Sequence, residues 1–382
     1  MAHSKNSIPN FKKMFVSILI IPVLLVLTAV IFTDFSPPFG GKTTAKHVEL
    51  FKKSANFKNG KFINKNEVEY RMSFSDFRKI MSNYTNPQPH TAPDQNIETQ
   101  NIDSLDIANF KDSTRLIWFG HSTFLLQISN KNILIDPMFG ETPSPFSYLG
   151  TKRFSNKLPI AIEQLPTIDV VLISHDHYDH LDYPSIIKLK DKVDMFYTPL
   201  GVGIHLEQWG VAKNKIAEHD WWENTELHDL NFICTPAQHF SGRGLKDKNK
   251  TLWSSWIIKS KTENIFFSGD SGYGEHFKTI GDQYGPFDFA MIECGQYNTI
   301  WPQIHMFPEE TVQAGIDLKA TRIMPIHWGA FKLSVHTWKD PVERFTQTAK
   351  ELNMNYLTPE IGMPFSLNEP KITTNNWWDS YN

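Results

Sequence analysis

The chain has 382 residues, enough for one large domain or two ordinary ones. Apolar residues make up 40% and charged residues 21%, so a packed core can form. A net charge of −3 with no long basic block excludes an electrostatic footprint for nucleic acid, and two cysteines, Cys234 and Cys294, are too few for a disulfide framework and read as buried thiols.

Residues 1–13 are polar and carry Lys5, Lys12 and Lys13. Met14 to Thr33 then runs 20 residues without a charge. At ~1.5 Å per residue such a helix spans ~30 Å, about one hydrocarbon core. Pro22 argues against a soluble buried helix, and Thr28-Ala29-Val30 is a poor signal-peptide cleavage site. The expectation is an uncleaved single-pass anchor over 14–33. The upstream lysines favour a cytoplasmic N-terminus and an extracytoplasmic catalytic part, with Lys42 and Lys46 as counter-signals. Residues 34–112 read as an arm wrapping the body, punctuated by Pro37-Pro38, Gly40-Gly41 and Asn86-Pro87-Gln88-Pro89. Phe51, Phe57, Phe62 and Phe74 are apolar points that could pin it.

From Arg115 the pattern changes. Leu116–Trp118, Thr123–Ile128 and Ile133–Asp136 read as strands, and a Pro-, Gly- and Ser-rich loop covers 137–159. The apolar run Val170–Ile173 reads as a buried strand. It ends in His175-Asp176-His177-Tyr178-Asp179-His180, three His and two Asp within six residues. His175 and His177 are two apart, so their rings can converge on one ion, and Asp179 with His180 can face a second. Zinc takes imidazole nitrogen and carboxylate oxygen, and a catalytic zinc keeps one position open. A helix follows from Asp182. Later strand candidates are Met195–Thr198, Leu230–Cys234, Leu252–Ile258, Ile265–Phe267, Phe287–Ile292 and Arg322–Ile326, with helices at Pro308–Leu318 and Val342–Leu352. Many strands with fewer helices suggest two packed sheets flanked by helices, an α/β (α+β) architecture. His239, Asp270 and His327 each follow an apolar run, where a lone His or Asp is usually a turn residue. Three together point instead to further ligands.

The order His-x-His-x-Asp-His, then His, Asp and His resembles the metallo-β-lactamase superfamily. That resemblance implies a four-layer αβ/βα sandwich and a dinuclear metal centre. It implies His175, His177 and His239 on the first zinc, Asp179, His180 and His327 on the second, and Asp270 bridging them. Trp118-Phe119-Gly120-His121-Ser122-Thr123, Ile135-Asp136-Pro137, Ala237-Gln238-His239-Phe240-Ser241-Gly242-Arg243 and Ile326-His327-Trp328-Gly329 are similar to the N-acyl phosphatidylethanolamine-hydrolysing phospholipase D branch. His305, with Pro308-Glu309-Glu310, aligns with a His that lies near the scissile phosphate in that branch. One run departs: where mammalian-type members carry Gly-Ala-Tyr-Glu-Pro-Arg-Trp, this chain has Gly295-Gln296-Tyr297-Asn298-Thr299-Ile300-Trp301, without the Arg.

The expectation is therefore a hydrolase domain over 113–370, a tail over 371–382, and two zinc ions, with a mixed zinc–iron or manganese centre as an alternative. Catalysis would rest on Asp270 and His305, and substrate contacts on His305, Tyr297, Trp301 and Arg243. Metal activation should dominate. Lowering the pKa of a water from 15.7 to ~7 is worth ~12 kcal/mol, against ~3–5 kcal/mol for a lone general base. The substrate expected is a phospholipid, N-acyl phosphatidylethanolamine, cleaved to N-acylethanolamine and phosphatidic acid. The same centre would serve hydrolysis of a soluble ester or lactone. The other expected partner is a membrane, through the N-terminal helix, and a homodimer is a possible assembly.

Overall fold

Alternation along the strands decides how the molecule is layered. A computed structural model of the chain describes residues 23–24, 28, 31–66, 68, 73–86, 88–111, 113–367 and 375–382. In the arm, β1 (Phe57–Lys58) and β2 (Lys61–Phe62) form a hairpin. There follow β3 (Arg115–Trp118), β4 (Phe124–Ile128), β5 (Lys131–Ile135), β6 (Ile168–Leu172), β7 (Val193–Pro199) and β8 (Ile216–His219). The second half of the chain supplies β9 (Asn224–Leu227), β10 (Leu230–Thr235), β11 (Ser255–Lys259), β12 (Asn264–Phe267), β13 (Phe289–Glu293), β14 (Ile323–Ile326) and β15 (Pro364–Ser366). One sheet has seven strands in the order β15-β3-β4-β5-β6-β7-β8, and the other has six in the order β14-β13-β12-β11-β10-β9. Each is antiparallel on one side and parallel on the other, with β5 to β8 and β12 to β14 parallel.

Because side chains alternate, each strand feeds two layers. Leu116 and Trp118 of β3 pack in one apolar cluster with Phe232, Trp256, Phe267 and Met291 of the six-stranded sheet. Ile117, one residue away, packs on the opposite face with Leu181, Ile186 and Leu206. Those last residues come from the turn and the helices Tyr183–Leu189 and Gly203–Gln208. The far face of the six-stranded sheet is covered by Phe277, Ile280, Val312 and Phe345, from the helices Glu275–Tyr284, Pro308–Asp317 and Asp340–Glu351. The result is helix, sheet, sheet, helix. Each fully buried Leu, Ile or Phe in these layers contributes about 1.5–3 kcal/mol.

Several elements differ from the sequence expectation. The strand at Leu252–Ile258 begins only at Ser255. Leu252 and Ser254 instead bond to Leu200 and Ser174, so they stitch one sheet's loops to the other. The helices Gly203–Gln208 and Glu275–Tyr284 and the strands β8, β9 and β15 carried too little periodicity to be expected. In the arm, Phe51, Phe57 and Phe62 are buried in the central cluster, whereas Phe74 is 78% exposed and pins nothing. The membrane expectation is corrected. Among the described residues no helix is long and apolar enough to cross a membrane. Most of 14–33 lies outside those residues. The single-pass anchor, and the extracytoplasmic placement that depended on it, are withdrawn.

Candidate metal centre

The parallel strands β12, β13 and β14 end on one edge, and β6 of the other sheet ends opposite them. Nearly every singled-out side chain leaves one of these ends. After β6 the chain turns tightly, with the amides of His180 and Leu181 both donating to the His177 carbonyl. His239 follows β10, Asp270 follows β12 and His327 follows β14. Two glycines permit the convergence. A Cβ on Gly269, at φ +56°, would sit 2.6 Å from the Ser174 Cβ, and one on Gly295 would sit 1.9 Å from the His327 carbonyl oxygen. Asp136 (φ +40°), His121 (φ +55°) and His327 (φ +68°) hold left-handed backbone, which costs about 1–3 kcal/mol each and clusters at functional sites.

Two donor clusters share this edge. His175, His177, His239 and Asp270 form one, with ligand atoms all within 4.8 Å of one another. His121, Asp179, His180 and His327 form the second by the same measure. In the first, His177 Nδ1 lies 2.9 Å from His175 Nε2 and 3.2 Å from His239 Nε2. In the second, Asp179 Oδ2 lies 2.8 Å from His121 Nε2 and 3.1 Å from His327 Nε2. Asp270 joins them. Its Oδ1 is 3.1 Å from His180 Nε2, and its Oδ2 is 3.0 Å from His327 Nε2 and 3.7 Å from His239 Nε2.

The donors fit divalent cations. In the first cluster three ring nitrogens face one space, and a single proton can lie between any two of them. Where the clusters meet, His180 Nε2 and Asp270 Oδ1 are buried 3.1 Å apart, in contact with each other but without an aligned hydrogen bond. Charge tells the same story. Burial pushes both carboxylates up, yet the imidazole of His180 prevails and holds Asp179 and Asp270 well below the usual carboxylate range. Burial pulls His327 down, but Asp270 and Asp179 push it up to about 10. Two buried carboxylates thus demand positive charge, which cations would supply in place of protons. His175 and His239 sit well below the ordinary histidine value because burial disfavours their charge, which leaves neutral imidazoles suited to bind metal. Nitrogen and carboxylate donors of this kind suit zinc, iron or manganese.

The supports were mostly invisible in the sequence. Asp136 Oδ2 meets His180 Nδ1 at 2.7 Å, while Oδ1 accepts from the Ser174 amide. His239 Nδ1 donates to the Ile304 carbonyl. Asn64, from the arm, accepts from the His239 amide and donates to its carbonyl. Glu293, the last residue of β13, is fully buried and reaches His305 Nδ1 at 3.1 Å.

A cavity of about 230 Å³ opens over both clusters, lined by His177, Asp179, Phe240, Asp270, Trp301, Ile304, His305, His327 and Leu333. His305 and Trp301 therefore lie where the sequence expectation put substrate. Arg243 does not, and that expectation is corrected. All three of its guanidinium nitrogens donate to backbone carbonyls, of Pro38, Asp176 and Leu181, so it clamps the ligand turn. Tyr297 is corrected too. It is buried behind the cavity, stacked on His336 at 4.4 Å, and its hydroxyl accepts from Arg344. A larger cavity, about 330 Å³, lies behind the turn beside Lys42, Asp176 and His205. It holds none of the clustered donors, so the chemistry belongs to the smaller one.

Comparison with known proteins decides the family. A beta-lactamase superfamily domain matches residues 131–328. This chain belongs to that superfamily. Within it the chain is a metal-dependent hydrolase, with candidate metal-binding His and Asp clusters at the ends of its strands. An uncharacterized protein of Mycobacterium bovis is 41% identical over 273 residues, which cover 70% of this chain and 73% of the relative. The N-acyl-phosphatidylethanolamine-hydrolyzing phospholipase D 1 of Caenorhabditis elegans is 30% identical over 262 residues, 64% of this chain and 73% of that one. The same layering occurs in the solved isothiocyanate hydrolase from Delia radicum gut bacteria. That structure has a TM-score of 0.53 and 20% identity, and the match covers 66% of this chain and 98% of that one.

Proposed function

We propose that this superfamily member hydrolyses a lipid phosphodiester of the N-acyl phosphatidylethanolamine type, releasing an N-acylethanolamine and a phosphatidic acid. The observation that carries the reading is the cavity itself. Its lining combines polar groups, His305 and the shared carboxylate Asp270 among them, with apolar side chains from Phe240, Trp301, Ile304 and Leu333. The first suits a phosphate and the second an acyl chain. The similarity to the nematode phospholipase D supports the same substrate class.

Bound in the two clusters, divalent cations would lower the pKa of a water to ~7 and offset phosphate charge. His175, His177 and His239 would hold one, Asp179, His180 and His327 the other, and Asp270 both. The chain does the rest. Asp270 sits between the clusters and fixes their separation. His305, tied at Nδ1 to Glu293, turns an unprotonated Nε2 to the cavity, where it can take a proton from the attacking water and then pass it to the departing ethanolamine oxygen as the P–O bond breaks. Trp301 is held by its own Nε1 donating to the Gln296 carbonyl, so its ring is a fixed wall for the lipid.

The test is direct. Purified full chain, loaded with zinc or manganese, is assayed on N-acyl phosphatidylethanolamine and on lactones, with and without chelator. Chelator-sensitive release of N-acylethanolamine is the expected result. Lactone turnover without lipid turnover would overturn the lipid reading in favour of a soluble-ester hydrolase.

A further inference from the structure

Glu293 is the residue of this site that neither its neighbours in sequence nor the ligand pattern announces. It ends β13, and the register of β13 and β14 pairs it with Ile326, so its side chain lies beside His327. It is 0% exposed, and among the described residues no Lys or Arg forms an ion pair with it. Its Oε2 accepts from the Met306 amide at 2.9 Å. Its Oε1 faces two imidazoles at once, with His305 Nδ1 at 3.1 Å and His327 Nδ1 at 3.8 Å. The two rings lie nearly parallel, 5.3 Å apart with 23° between their planes. The backbone of Glu293 is pinned as well. Its amide donates to Ser268 Oγ, and its carbonyl accepts from Thr311 Oγ1.

A buried carboxylate with no cationic side chain beside it is costly unless it receives hydrogen bonds. Beyond the Met306 amide, the His305 Nδ1–H is the donor in reach, and His327 Nδ1 at 3.8 Å makes no hydrogen bond to the carboxylate. A ring that gives its Nδ1 proton to Glu293 keeps Nε2 for the cavity, and a carboxylate behind a metal-binding imidazole fixes both tautomer and orientation. We propose that Glu293 is a positioning residue that holds His305 in its Nδ1–H tautomer by a hydrogen bond, while its charge, 3.8 Å from His327 Nδ1, orients the neighbouring metal-facing ring. This rests on the hydrolase reading above for the role of His305, but the positioning is a property of the fold. His327 Nε2 lies 3.0 Å from Asp270 Oδ2 and 3.1 Å from Asp179 Oδ2, so its Nδ1 side is the one nearer Glu293.

The full chain is compared with Glu293→Gln, Glu293→Asp, His305→Ala and the Glu293→Gln/His305→Ala double variant. Ring-nitrogen NMR of the metal-free protein is expected to show His305 as a single Nδ1–H form in the native chain and as mixed forms in E293Q. Zinc titration is expected to show one of two sites weakened about tenfold or more in E293Q, and unchanged in H305A. At saturating zinc, kcat of E293Q should fall about tenfold or more with KM within about threefold, and adding E293Q to H305A should cost nothing further. E293D keeps the charge on a shorter arm and should recover part of each loss; it decides the matter if E293Q does not fold. Unchanged ring signals and unchanged zinc affinity would overturn the proposal, as would losses that add in full in the double variant. A native chain that cleaves no lipid phosphodiester would sink the substrate reading alone, because the ring spectra and the zinc titration do not depend on it.

Discussion

The two donor clusters are built from similar side chains and supported differently. Around His175, His177 and His239 the supports are neutral. Ser174 Oγ lies 2.9 Å from His175 Nδ1, the Ile304 carbonyl takes the His239 proton, and Asn64 brackets the His239 backbone. Around Asp179, His180 and His327 they are charged and buried, with Asp136 bonded to His180 at 2.7 Å and Glu293 3.8 Å from His327 Nδ1. Carboxylate support raises the basicity of an imidazole and locks its tautomer, while a carbonyl does so more weakly. The difference teaches that the second cluster should hold its cation by electrostatics and the first by geometry.

The largest test removes what the clusters share. Asp270→Asn keeps the shape but loses the charge that faces both, and turnover should fall on the order of 10³-fold or more, with both ions weakened in a metal analysis of the purified protein. Near-normal activity with full metal content would show that the two clusters do not work through a common carboxylate.

Next come the supports. Asp136→Asn leaves a hydrogen-bonding group but removes the charge behind His180, so zinc affinity at one of the two sites should drop about 10–100-fold. Asn64→Ala takes two hydrogen bonds from the His239 loop, each worth about 1 kcal/mol net, and should cost about 1–2 kcal/mol of thermal stability with zinc affinity changed only a few-fold. Equal losses of zinc affinity in the two variants would erase the distinction between charged and neutral support.

The contrast also marks what the sequence could show. His175 to His180 stand in one turn after an apolar run, and His239, Asp270 and His327 each follow a strand within a few residues, so local pattern alone placed all seven near strand ends. Two sheets flanked by helices followed from the same runs. The supports had no such signal. Asp136 and Glu293 are single acids at the ends of apolar strands, where an acid ordinarily begins a turn. Asn64 lies in the arm, 175 residues from the backbone it holds. Arg243 and Tyr297 had side chains suited to phosphate and lipid, but three-dimensional packing spends them elsewhere, on the carbonyls of the ligand turn and on His336 and Arg344. Residue type reveals what a side chain can do, while its partners, fixed only by the fold, decide what it does.

The smallest effect expected concerns a neutral support that can acquire charge. Ser271 Oγ accepts from the Gln238 amide, next to His239, and lies 3.0 Å from His276 Nε2. Burial, and then the charge of Lys65, push His276 down to about 3. An unfolded chain would protonate this ring near 6.5. As pH falls from about 6.5 to about 3 the unfolded state therefore binds more protons than the folded one, and the contribution of His276 to stability declines over that window. His276→Phe removes the titrating group, so its stability should vary less with pH than that of the native chain, while turnover at pH 7 changes within about threefold because the ring touches no clustered donor. Melting curves between pH 4 and 7 check it. An equally steep decline in both proteins would place the acid sensitivity of the His239 loop in some other group.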